Sequence, residues 1–83
     1  MTEPADLNRL KWKCRRGMKE LDIVLTHYLE HCFEEASDDE KHAFETILDM
    51  QDPELYFLMI GKKTSEDETI ANIVTILQHT SRN

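Results

Sequence analysis

Glycine, proline and cysteine are nearly missing from this chain, with two of each in 83 residues. Two isolated glycines, Gly17 and Gly61, cannot spell a Walker loop or a dinucleotide fingerprint, so a glycine-rich phosphate cradle is excluded. Two cysteines, Cys14 and Cys32, do not make a disulfide scaffold and read as small packing residues or free thiols. Long apolar runs are also missing. The longest, Leu55 to Ile60, is too short to cross a bilayer. Basic charge is scarce: 10 Lys and Arg face 17 Asp and Glu, giving a net charge of −7. That balance argues against a nucleic-acid binder, which neutralises phosphates with Lys and Arg, and against an anionic membrane surface. The first residues, Met1 to Asp6, lack the basic-then-apolar pattern of a signal peptide and are too acidic for a presequence, so a cytoplasmic protein is expected.

What is present is helical. The chain is 40% hydrophobic, enough to offset ordering entropy, and 83 residues form a single domain, 1–83. Leu7, Leu10 and Cys14 recur at three- and four-residue spacing and outline a short first helix, which Gly17 is placed to end in a left-handed conformation. The spacing resumes at Met18 and runs through Leu21, Val24, Leu25, Tyr28, Leu29 and Cys32. Ser37 to Glu40 forms a capping box that opens a third helix, with Ala43, Phe44, Ile47 and Leu48 on one side. Asp52-Pro53 starts a fourth, with Asp52 as the N-cap. That helix is apolar on all sides, so it is either fully buried, as expected in so small a bundle, or partly offered to a partner, and Gly61 stops it. Ser65 to Glu68 offers a second capping box, before Ile70, Ile73, Val74 and Leu77. No alternating strand pattern or Asn-Gly turn occurs. The predicted architecture is all-α, a small five-helix bundle.

Candidate chemistry is thin. His27 and His31 lie four apart beside Cys32, but Tyr28 stands where a zinc-protease glutamate is needed and no CxxC pair exists. Exposed helix histidines are the simpler reading. The acidic clusters Asp38-Asp39-Glu40 and Glu66-Asp67-Glu68 sit in first helical turns, where the dipole favours negative charge, so capping accounts for them. No metal ligand set, bound cofactor or catalytic residue is assigned.

Charge is unevenly distributed. Residues 1–20 carry net +3, from Arg9, Lys11, Lys13, Arg15, Arg16 and Lys19 against Glu3, Asp6 and Glu20, which leaves −10 for the rest. Either this stripe orients the protein against a partner, or it is a solvated helix face. Trp12, flanked by Lys11 and Lys13, falls off the apolar stripe and suits either an interface anchor or packing at the end of the bundle. Arg15, Arg16, Gly17, Met18, Lys19 and Glu20 combine a backbone corner with charge. A structural corner closed by an Arg16–Glu20 pair and a contact site using arginine for a partner's carboxylate both fit these residues.

The stretch from Trp12 to Asp22 resembles the signature of the succinate dehydrogenase FAD assembly factors, whose Arg-Gly-x-x-Glu hallmark is matched by Arg16, Gly17 and Glu20. Ser37 to Glu40 and Asp52 to Leu55 resemble the family as well. The resemblance implies a small bundle that is not an enzyme. It would bind the flavoprotein subunit of succinate dehydrogenase, and of fumarate reductase, and promote covalent FAD attachment to a client histidine. FAD then belongs to the client, and the factor acts as a monomer with no cofactor of its own. Arg16, Gly17 and Glu20 would be the partner-binding residues; Trp12 and Arg15 join them on charge and aromatic character. An antitoxin-type binding module on the same fold is the alternative.

Overall fold

In the computed structural model, which describes residues 4–81 and the side chains of 7–80, five helices follow one another with no strand among the described residues. They are α1 (Pro4–Cys14), α2 (Lys19–His31), α3 (Asp38–Leu48), α4 (Asp52–Met59) and α5 (Glu68–Ser81). The apolar stripes read from the sequence meet in a single core. Leu10 and Cys14 of α1 pack with Leu21, Leu25 and Tyr28 of α2, Phe44 and Ile47 of α3, Leu55 of α4, and Ile73 and Leu77 of α5. Phe33, just past α2, joins them, its ring 5.7 Å from that of Phe44. At four residues beyond Leu29 it continues the α2 stripe into the loop. α5 packs on α2, α3 and α4, while α1 packs on α2 and α3.

The helix ends follow local chemistry. Ser37 Oγ accepts from the Glu40 amide while Glu40 Oε1 accepts from the Ser37 amide, both at 3.2 Å, completing the expected capping box. Gly61 ends α4 in the left-handed region (φ 80°), its amide donating to Leu58 O and the Lys62 amide to Phe57 O, a Schellman closure. Gln78 of α5 adds a side-chain cap, donating from Nε2 to Leu58 O and Met59 O.

Four expectations change. Gly17 is not left-handed: α1 already ends at Cys14, and Gly61 is the positive-φ residue among those described. The N-cap of α4 is Gln51, and Asp52 lies in the first helical turn, where its carboxylate takes up a different partner. The α5 cap is Asp67, whose Oδ1 accepts from the Thr69 and Ile70 amides at 2.9 and 3.2 Å; Ser65 Oγ instead accepts from the Asp67 amide. Aspartate competes well for the cap position, and it wins here two residues after the serine. Finally, α4 is only partly buried. Leu55 and Leu58 enter the core, while Phe57 and Ile60 remain 46% and 45% exposed.

Candidate docking corner and its supports

α1 has two polar faces that do different things. Arg9 and Lys13 lie four apart on one side of α1, and Arg16, two residues past its end, continues that side into the corner. They meet Glu45, Asp49 and Asp52, at 3.4, 2.8 and 3.2 Å, each acid 36 residues after its base. The constant offset means that α1 and α3 run in the same direction, tied by a ladder of ion pairs. The lower two rungs are exposed and add little stability individually. Lys13 holds the Asp49 carboxyl below the usual carboxylate range through a hydrogen bond and its charge.

The top rung is different. The Arg16 side chain is only 10% exposed. Its Nη1 donates to Met50 O at 2.7 Å and to Asp52 Oδ1 at 3.2 Å, and its Nη2 donates to Leu48 O. Leu48 is the last residue of α3, where helix carbonyls lack intrahelical partners and carry the negative end of the dipole, and Met50 lies in the turn just past it. One guanidinium therefore closes α3, opens α4 and binds both to the α1–α2 corner. The Arg16–Glu20 pair suggested by spacing does not form; Asp52 takes the place of Glu20.

The other motif residues face out. Gly17 is exposed, and a Cβ there would meet Asp52 Oδ2 at 3.6 Å, an ordinary contact. Glu20 is exposed and, among the described residues, has no ion pair. It lines a hollow of about 70 Å³ with Leu21, with Tyr56 and Met59 of α4 and with Ile60 just past that helix. On the outer face of α1, Asn8, Lys11, Trp12 and Arg15 line a second hollow of about 340 Å³. Trp12 is 70% exposed, which rules out packing at the bundle end, and the Arg15 guanidinium lies 5.2 Å from its ring centroid. That cation–π contact holds both groups at the surface.

The remaining reactive groups are not gathered. Cys14 is a free thiol in the core, and burial pushes it up to about 11, away from nucleophilic thiolate character. Cys32 is a second free thiol, half-buried. The rings of His27 and His31 lie 4.5 Å apart on the exposed side of α2. No group of three or more His, Cys, Asp or Glu side chains is placed to hold a metal among the described residues. No helix among them is long and apolar enough to cross a membrane.

Residues 8–81 match the family described as flavinator of succinate dehydrogenase. The chain belongs to that family. It is 40% identical over 81 residues to the FAD assembly factor SdhE of Coxiella burnetii, covering 98% of this chain and 99% of that one. It is 43% identical over 70 residues to the factor of the same name from Methylococcus capsulatus, covering 84% of each. The corresponding Xylella fastidiosa protein is 37% identical over 78 residues, covering 94% of this chain and 80% of its own. The family therefore spans the α1–α2 corner together with the α3–α4 junction that supports it. Sequence reasoning found the corner but missed its supports, Leu48, Met50 and Asp52, and the α4 wall beside Glu20. Asp52 read as a helix start and as part of a stretch resembling the family, but its tie to Arg16 was hidden, because a contact 36 residues away leaves no local signal.

Proposed function

We propose that this protein is an assembly factor that binds the flavoprotein subunit of succinate dehydrogenase, and that of fumarate reductase, and promotes covalent attachment of FAD to a client histidine. The observation that carries this reading is the family match from residue 8 to residue 81. The relatives' shared name, FAD assembly factor, supports it further and lends nothing to the antitoxin alternative. The chain offers a surface for docking. In this reading the flavin bond is formed by the client's own groups. The factor is a cytoplasmic monomer, FAD belongs to the client, and binding energy favours a client conformation ready for bond formation. Trp12, Arg15, Gly17 and Glu20 form the outward docking surface, and Arg16 completes the corner.

Deleting the gene should leave the client subunit present but without covalent flavin, seen as lost in-gel flavin fluorescence of that subunit. Normal fluorescence in the deletion strain would overturn the proposal.

A further inference from the structure

Arg16 and Glu20 belong to one motif, yet their surroundings are opposite. Glu20 is exposed without an ion pair, whereas Arg16 is nine-tenths buried behind it on three acceptors of its own chain. Two of those acceptors are backbone carbonyls, one at the end of α3 and one in the turn just past it, and the third is a carboxylate in the first turn of α4. To reach a partner, the guanidinium would have to leave a carboxylate and two carbonyls behind. Leaving a buried polar group unpaired costs about 1–3 kcal/mol, more where charge is involved. The bonds also have a geometric consequence. α4 runs from Asp52 to Met59, so fixing its first turn fixes Tyr56 and Met59, which line the hollow beside Glu20. Lysine cannot reproduce this arrangement, since a point ammonium lacks the planar fork that spans acceptors on two elements.

We infer that Arg16 is a positioning residue: it sets α4 against the α1–α2 corner so that Glu20 and the α4 wall form one client-facing surface, and it does not touch the client. This inference rests on the docking reading above, and Asp52 is its lever. Weakening the bracket from the Asp52 side leaves Arg16 intact and better able to reach outward. A direct-contact role and a positioning role therefore predict opposite results for Asp52→Asn.

The test uses the full chain and the succinate dehydrogenase flavoprotein subunit purified without covalent flavin. Kd is measured for the parent protein and for Arg16→Lys, Asp52→Asn, the double variant and Glu20→Gln, at a temperature where circular dichroism shows each to be folded. Backbone amide spectra are recorded on the free proteins. Arg16→Lys and Asp52→Asn should each weaken binding by about tenfold, the double variant no further, since groups sharing one network are not additive. Both should move the amide resonances of Tyr56, Met59 and Ile60. Unchanged Kd in folded Arg16→Lys and Asp52→Asn reduces Arg16 to a stabilising residue and overturns the inference. Unchanged or tighter binding by Asp52→Asn beside weakened Arg16→Lys assigns a direct contact and also overturns it. If Arg16→Lys does not fold, Asp52→Asn decides alone: weaker binding with displaced α4 amides supports the inference, and unchanged Kd defeats it. Failure of the parent protein to bind the subunit, or full affinity in Glu20→Gln, strikes the docking reading itself; displaced α4 amides would then still report the bracket, without a client to serve.

Discussion

The inner and outer sides of α1 and of the corner that follows it carry the same kinds of residue and use them differently. On the inner face, Arg9, Lys13 and Arg16 are matched rung by rung to acids of α3 and α4. On the outer face, Arg15 lies over Trp12 beside Lys11, and no acid of the described chain is paired with these bases. The difference shows that a basic stripe is not one functional unit. Half of this one is consumed in holding helices together, and only the other half is available to a partner of opposite charge.

The comparison can be broken first at its strongest rung. Arg16→Ala strands two carbonyls and a carboxylate, and is expected to cost about 2–4 kcal/mol. For a chain of this size that lowers Tm by roughly 10–25 °C, read by thermal circular dichroism. A loss as small as that of a surface substitution would mean that the inner face is not structural. Lys13→Met should give a smaller fall in Tm, and one that depends on pH. The Asp49 carboxyl is held below its ordinary value when folded, so its contribution is present above about pH 4 and is lost as pH drops through the depressed folded value. The Tm gap between the parent protein and Lys13→Met should therefore be steady from pH 7 to about pH 5 and close in stronger acid. A gap that widens in acid would contradict the pairing.

The smallest effects on stability are expected on the outward side. Glu20→Gln and Trp12→Ala should leave stability within about 0.5 kcal/mol of the parent, as surface changes do. They should nevertheless reduce flavin attachment to the client, scored by in-gel fluorescence. Gly17→Ala belongs with them: its backbone is not left-handed and a Cβ has room, so the fold should tolerate it. A large drop in Tm from any of the three would erase the distinction between the faces.

The helices were legible because their signals are local. Leu21, Val24, Leu25 and Tyr28 fall on one face by period alone, and Ser37 with Glu40 announces a helix start within four residues. Ser65 misled by two residues because Asp67 offers an equally good cap inside the same run. α4 misled in burial because periodicity says nothing when nearly every position is apolar; only the neighbours decide that Leu55 is covered and Phe57 is not. The corner was visible as a motif, while the roles of its members were hidden.

The sequence by itself determined the five helices, the capping box of α3, the glycine stop of α4 and the inward stripes, since propensity, capping and period act over a few residues. It also placed Arg16, Gly17 and Glu20 in one corner. Only the tertiary structure decided that Arg16 turns in to Leu48, Met50 and Asp52 while Glu20 turns out. The reason is that a buried guanidinium must find acceptors wherever the fold brings them, and here they arrive from more than thirty residues away.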